Sequence, residues 1–217
     1  MTSSTPSVAR DVLVAPSAGP GPGVLVLHSG RGLTPFVERL CHRLARTGFV
    51  AYAPDLFDGE TPTTTTEAQE VKEAVDEERL VRQLEDAAGF LCRYDDVSRP
   101  EIGVLAIGYG AEVACAAAPW LSADCAALTI FYGYRDCEWA DVDLDVLGHF
   151  AQLDHVYSPS RVEDIRETFR GAAIDHDLFV YPGTEPSFFE EDETARYDPE
   201  AARLSWERTT HYLESRI

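Results

Sequence analysis

A glycine-rich turn joins an apolar run to an alanine-rich segment near the middle of the chain. The run is Ile102 to Ile107, followed by Gly108-Tyr109-Gly110-Ala111-Glu112 and then by VACAAA. Small residues around a central position let a strand and a helix approach closely, as in a nucleophile elbow with the pattern small-x-nucleophile-x-small. With the turn placed in this register, Gly110 is at the centre. The turn therefore has the layout used for nucleophilic catalysis, but its centre carries no nucleophile.

Other polar residues follow a second apolar run and could act at the same place. His28 ends the run that begins at Val24, and Ser29, Gly30 and Arg31 continue it into a loop. A histidine here either binds backbone groups or contacts a ligand as an acid or base. Arg31 could bind a carboxylate through two nitrogens or remain in solvent. We treat His28, Ser29 and Arg31 as candidate ligand-binding residues.

Two acidic residues are the candidate general acid or base groups. Glu112 lies in the first turn of a predicted helix, where the helix dipole favours a carboxylate and where a base could reach a ligand. Asp154 ends the segment GHFAQLD and is either a structural hydrogen-bond acceptor or an acid or base. His155 follows it, but neighbouring side chains in a loop rarely converge. Tyr109 and Tyr132, each beside the end of a predicted strand, are candidate ligand contacts.

Apolar runs that alternate with amphipathic segments predict the elements that hold these residues. Strands alternating with helices indicate an α/β domain with a mostly parallel sheet covered on both faces, and ligands bind beyond the carboxyl ends of such strands. The predicted strands are Asp11–Val14, Val24–His28, Phe49–Asp55, Ile102–Ile107, Ala126–Tyr132, Val146–Ala151 and Leu178–Tyr181. The predicted helices start at Pro35, Glu67, Ala111, Pro159 and Pro199, and the second runs to Tyr94. Residues 1–9 are polar and predict a loose tail.

The charge balance excludes some partners. The 217 residues include 18 Lys and Arg against 38 Asp and Glu, a formal net charge of −20. Such a surface repels phosphate backbones and anionic lipids, so we expect neither a nucleic-acid nor a membrane partner. No secretory signal or membrane span is expected, and the predicted location is cytoplasmic.

The cysteines and an acidic insert suggest no metal or cofactor. Five cysteines without a CxxC pair predict reduced thiols, and Cys115 is expected in the core. Asp141, Asp143 and Asp145 alternate, but no EF-hand glycine or terminal glutamate follows them. No glycine loop for phosphates and no cofactor fingerprint is found, so we expect no cofactor.

In five segments the sequence resembles the dienelactone hydrolase family of the α/β-hydrolase fold, over about residues 10 to 215. They are VLVLHSGRGLTPFVERLCHRLARTGFVAYAPDLFDGET, IGYG, FYG, GHFAQLD, and YPGTEPSFFE followed by YDPEAARLSWERT. The resemblance implies one α/β-hydrolase domain over residues 10–217. It also implies a Cys or Ser at the elbow centre, a histidine in YPG-x-x-H, and an acid at Asp154. Here Gly110 and Pro186 occupy the first two positions, and Ser29 stands where many members carry a glutamate.

Glycine and proline side chains can neither attack a carbonyl nor remove a proton, so we expect no hydrolysis by the Ser or Cys route. The predicted function is binding of a small cyclic or polyketide-like carbonyl compound, with a non-hydrolytic step such as cyclisation, isomerisation or decarboxylation. Two alternatives stay open. One is a non-catalytic protein that binds a metabolite or a protein partner, and the other is a residual hydrolase with a nucleophile such as Ser29 or Cys115.

Overall fold

A seven-stranded sheet forms the centre of the molecule in the computed structural model, which describes residues 11–217. The strands are β1 (Val12–Val14), β2 (Gly23–Leu27), β3 (Val50–Ala53), β4 (Ile102–Ile107), β5 (Cys125–Phe131), β6 (Asp145–Ala151) and β7 (His176–Tyr181). Their spatial order is β1-β3-β2-β4-β5-β6-β7, and only β1 is antiparallel to its neighbour. The predicted mostly parallel sheet is confirmed. The predicted tail at residues 1–9 lies outside the described residues.

Helices cover both faces of this sheet. They are α1 (Pro35–Arg46), α2 (Thr65–Ala74), α3 (Glu77–Cys92), α4 (Tyr109–Leu121), α5 (Pro159–Gly171) and α6 (Pro199–Arg216). Helices α3, α4 and α5 share one apolar cluster with the sheet, whereas α1 and α6 share the other. Strand β4 is buried along its whole length because it lies between these layers. Each helix of residues 11–217 is too short or too polar to span a bilayer.

The single helix predicted from Glu67 to Tyr94 is wrong, because the chain breaks it at Val75. That residue is extended, and the side chain of Asp76 then accepts hydrogen bonds from the N–H groups of Glu78 and Arg79. An aspartate in this position caps a new helix. The break separates α3, which packs on the sheet, from α2, which has no buried residue. Helix α2 is thus free to lie over the edge of the sheet.

Helix α4 starts at Tyr109, two residues before the predicted start at Ala111. The earlier start follows from the turn at the end of β4, where Gly108 takes a left-handed φ of 52°. This brings the turn to the carboxyl edge of the sheet, together with the residues that follow β2, β5, β6 and β7.

The excess of acidic residues should make the stability depend on salt. Acidic side chains outnumber basic ones by 20, so many carboxylates have no cation to pair with and repel one another. Raising NaCl from about 0.1 M to about 1 M shortens the Debye length from about 10 Å to about 3 Å. We expect the Tm to rise by several degrees, and differential scanning calorimetry would measure it. Sucrose is the uncharged control, and a Tm unchanged or lowered by NaCl would contradict the expectation.

Candidate functional site

A cleft of about 1200 Å³ opens at the carboxyl edge of the sheet, where parallel α/β sheets bind ligands. Its floor is formed by the residues that follow β2, β4 and β5. One wall consists of the loops that follow β6 and β7, and the first residues of α2 form the opposite wall. The two loops are held together because the N–H of Leu153 donates to the carbonyl of Thr184 at 2.9 Å. The cleft therefore collects residues that are far apart in the sequence.

The strained residue of the central turn is Gly108, so the prediction that Gly110 is the elbow centre is wrong. Gly108 has φ 52° and ψ −114°, a conformation that side chains rarely adopt, whereas Gly110 is the second residue of α4. A Cβ at Gly110 would lie 2.6 Å from the carbonyl oxygen of His28 and 2.7 Å from that of Leu27. Gly110 is therefore the small residue that lets helix and strand approach, and Gly108 is the residue presented to the cleft.

The space around Gly108 suits a small group and a developing negative charge. A Cβ there would meet only Ser29, whose Cβ is 3.5 Å away. The backbone N–H groups of Gly30 and Tyr109, both in the cleft, have no acceptor among residues 11–217. Two such donors can stabilise an oxyanion or an enolate. On the far side, Gly133 must lack a Cβ because one would lie 2.2 Å from the carbonyl oxygen of Gly108.

His28 is a structural residue, so its predicted role in ligand binding is wrong. The side chain is fully buried and lies outside the cleft. Its Nε2 accepts from the N–H of Leu56 at 3.0 Å, and its Nδ1 is 2.8 Å from the carbonyl oxygen of Ser29. Burial lowers the pKa of His28, in keeping with a neutral ring that donates from Nδ1. Both ring nitrogens are therefore occupied, and the contact of Nε2 with Leu56 joins the ends of β2 and β3.

Ser29 and Tyr132 both bind a carboxylate that the sequence analysis did not select. The Ser29 hydroxyl donates to Oε2 of Glu190 at 2.8 Å, and the Tyr132 hydroxyl donates to Oε1 at 3.0 Å. Glu190 is 5% exposed and lies in the cleft. Burial raises the pKa of Glu190, an effect that the hydroxyls of Ser29, Tyr132 and Ser187 oppose. The backbone of Tyr132 is strained, with a positive φ of 35°.

Tyr109 lines the cleft, and the side chain of a lysine lies over its ring. Lys72 of α2 places Nζ 5.0 Å from the centre of the Tyr109 ring. Its side chain also passes over Gly30, where a Cβ would lie 2.8 Å from Cε. Lys72 is the single lysine of the sequence, and it forms no ion pair with a carboxylate of residues 11–217. It therefore offers a cation beside Gly30 and the ring of Tyr109.

Arg31 and Glu112 line the cleft, but each is bound to another residue. Arg31 forms an ion pair with Glu193 at 2.8 Å, so it is not available to a ligand without breaking that contact. Glu112 lies 3.1 Å from the Tyr157 hydroxyl, which is also 2.9 Å from the carbonyl oxygen of Tyr134. Since a tyrosine has one proton, it can satisfy only one of these acceptors at a time.

Asp154 and Pro186 both line the cleft. Asp154 is 6% exposed, and its Oδ1 accepts from the N–H groups of Val156 and Tyr157 at 2.7 and 3.0 Å. Its Oδ2 has no donor among the described residues. His155 is exposed at the rim and makes no hydrogen bond to Asp154 within that part of the chain. Asp154 therefore fixes its own turn with one oxygen and keeps the other for a further donor.

Two other groups that could suggest hydrolytic chemistry are buried away from the cleft. Cys115 is fully buried, and burial raises the pKa of its thiol to about 12, so it remains protonated. His149 contacts the hydroxyls of Thr209 and Tyr181, but it too is fully buried, and burial lowers its pKa to about 3. Among residues 11–217, no group of three or more His, Cys, Asp or Glu is arranged to hold a metal ion.

A parallel sheet with this strand order, a strained strand-to-helix turn at its centre and a cleft above that turn define an α/β-hydrolase fold. The chain belongs to the dienelactone hydrolase family, whose model matches residues 10–216.

Proteins from several bacteria are similar over most of the chain. "Protein usf" of Aquifex pyrophilus is 27% identical over 216 residues, covering 94% of this chain and 92% of that protein. A "Putative carboxymethylenebutenolidase" of Aquifex aeolicus is 26% identical over 206 residues, covering 90% and 88%. The crystal structure of a "Putative Dienelactone Hydrolase" from Klebsiella pneumoniae has a TM-score of 0.84 at 22% identity, covering 95% of this chain and 92% of that chain. The structural likeness supports the fold.

Proposed function

We propose that this protein binds a small cyclic or polyketide-like carbonyl compound in the cleft and converts it without hydrolysis. The observation that carries the proposal is the composition of the central turn and of the loop after β7. Gly108 occupies the strained position, and Pro186 occupies the place where the family resemblance puts a histidine. A glycine has no atom to attack with, and a proline has no base to remove a proton.

The rest of the cleft supports binding of a carbonyl group. The N–H groups of Gly30 and Tyr109, with the cation of Lys72 near the same two residues, can stabilise negative charge on a carbonyl oxygen. Such charge develops when a proton leaves the carbon next to the carbonyl, and that step needs no covalent intermediate. An isomerisation, cyclisation or decarboxylation could all pass through this enolate. Some relatives are named for a butenolide, an unsaturated five-membered lactone, so a compound of this shape is our proposed ligand.

The experiment uses α-angelica lactone, a five-membered β,γ-unsaturated lactone, and p-nitrophenyl acetate as an activated ester. Calorimetry should detect saturable binding of the lactone, whereas absorbance should show no enzyme-dependent release of nitrophenol. Lys72→Met should weaken lactone binding several-fold, because it removes a cation of the cleft that has no carboxylate partner among residues 11–217. Failure of the lactone and of other cyclic carbonyl compounds to bind would contradict the proposal. Binding without turnover would instead favour a non-catalytic binding protein.

A residual hydrolase is the second candidate, since one contact favours it. The Ser29 hydroxyl donates to the buried carboxylate of Glu190 at 2.8 Å, and a carboxylate can remove a proton from a serine. This candidate requires enzyme-dependent ester cleavage that disappears in Ser29→Ala. Cys115, the other nucleophile considered from the sequence, is fully buried outside the cleft and is not a candidate.

A further inference from the structure

Glu190 is a buried acid whose position needs an explanation. It is 5% exposed, and no cationic side chain of residues 11–217 forms an ion pair with it. The carboxylate of Glu193, which is itself paired with Arg31, repels the charged form of Glu190 and so raises its pKa further. Burying a carboxylate without a cation is costly, so such groups are concentrated at sites that use them.

Two hydroxyl groups hold the carboxylate in one orientation. Ser29 binds Oε2 and Tyr132 binds Oε1, and these residues come from the ends of two strands, β2 and β5. The segment before Glu190 is anchored by Phe189, whose ring stacks on that of Phe131 with centroids 4.3 Å apart. Glu190 is therefore fixed from three directions while it remains part of the cleft wall.

The same contacts place Glu190 beside the central turn. Ser29, which binds its Oε2, is also the residue nearest to the position of a Cβ on Gly108, at 3.5 Å. A ligand carbonyl held by the N–H groups of Gly30 and Tyr109 would thus have its neighbouring carbon close to this carboxylate. A base beside the carbon and donors at the oxygen are the two requirements for forming an enolate.

We propose that Glu190 is the catalytic acid and base of this protein, and that it moves a proton between two carbons of an unsaturated carbonyl ligand. The inference rests on the proposed function and narrows it to isomerisation. Glu190 takes a proton from the carbon α to the carbonyl, and the electron pair of that C–H bond forms a C=C bond as charge moves to the carbonyl oxygen. The protonated Glu190 then returns the proton to the γ carbon. The double bond becomes conjugated with the carbonyl, which regains its C=O bond, and no other reactant is consumed.

The test follows α-angelica lactone by NMR in D₂O, where the product is its conjugated isomer. Glu190→Gln should slow isomerisation and deuterium incorporation by about 100-fold or more, as for loss of a general base. The Kd for the lactone should change little, because the amide has nearly the same shape. Glu190→Asp should retain part of the rate, and Tyr132→Phe should lower it less than Glu190→Gln does.

Glu191→Gln is the matched control, because Glu191 is the next residue, is exposed and pairs with Arg39 outside the cleft. Burial raises the pKa of Glu190, so its charged form costs stability as the pH rises, and Glu190→Gln should remain folded near neutral pH. An isomerase rate that survives in Glu190→Gln would overturn the inference but leave the proposed function standing. A wild-type protein that binds no cyclic carbonyl compound would overturn both.

Discussion

The double variant Gly108→Ser with Pro186→His should gain esterase activity, and at micromolar protein it should cleave p-nitrophenyl acetate measurably faster than buffer or the wild-type protein does. The serine would sit at the strained turn, where a Cβ has room and meets only Ser29 at 3.5 Å. The histidine would follow β7, in the loop that is hydrogen-bonded to the loop of Asp154. Asp154 has one oxygen, Oδ2, without a donor among the described residues, and it can orient an imidazole.

The matched control moves the serine by two residues. Gly110→Ser with Pro186→His should gain nothing, because residue 110 faces the carbonyl oxygens of His28 and Leu27 rather than the cleft. Circular dichroism would establish that both double variants are folded. Esterase activity in the variant at 110 and none in the variant at 108 would contradict the assignment of Gly108 to the strained position.

Gly110→Ala should destabilise the protein by about 2–4 kcal/mol. The added methyl group would lie 2.6 and 2.7 Å from two carbonyl oxygens, and backbone atoms cannot move aside as a flexible side chain does. Helix α4 must then shift away from β2, which opens the apolar cluster that both elements share. Urea unfolding monitored by circular dichroism gives the free energy of unfolding.

Two other glycine-to-alanine variants are the controls for Gly110→Ala. Gly171→Ala, at the end of α5, meets no atom within 4 Å and should leave the free energy of unfolding within about 1 kcal/mol of the wild type. Gly108→Ala has room but must adopt a positive φ, which costs about 1–2 kcal/mol. If Gly110→Ala is as stable as Gly171→Ala, the close approach of α4 to β2 is not as described.

The strands could be predicted because a parallel sheet buried on both faces requires continuous apolar runs. Ile102–Ile107 is such a run, and all six residues are buried. The sequence does contain a signal for the break between α2 and α3. Asp76 is a typical N-cap residue, and Glu77 and Glu78 after it are typical of the first turn of a helix. The prediction missed this signal because the apolar residues on both sides of the break keep the spacing of one continuous helix.

The register of the turn could not be fixed from residue types. Small residues stand at both ends of Ala106-Ile107-Gly108-Tyr109-Gly110, but a similar pattern begins two residues later at Gly108. The second pattern ends on Glu112, which is not small, and two features of the structure decide for the first: the backbone angles of Gly108 and the lack of room for a Cβ at Gly110. The segment resemblance placed Pro186 and Asp154 in one cleft, and both line it.

Glu190 was missed because its contacts are not local. It lies in the acidic run Glu190-Glu191-Asp192-Glu193, which has the composition of an exposed loop. Its partner Ser29 is 161 residues away in the chain. The sequence gives one signal that Glu190 is buried, namely that it directly follows Phe188 and Phe189. When two aromatic residues are buried, the residue after them often lies inside the protein too. Lys72 could have been noticed as the single lysine among 18 basic residues.

An NMR time course of wild-type protein with α-angelica lactone tests most directly whether this cleft converts a carbonyl compound without cutting it. Hydrolysis opens the lactone to a keto acid, whereas proton transfer gives the conjugated lactone, and the two products have different spectra. We predict that the conjugated lactone accumulates at an enzyme-dependent rate and that the keto acid forms no faster than in buffer. Enzyme-dependent formation of the keto acid, abolished in Ser29→Ala, would contradict this and would identify the protein as a hydrolase.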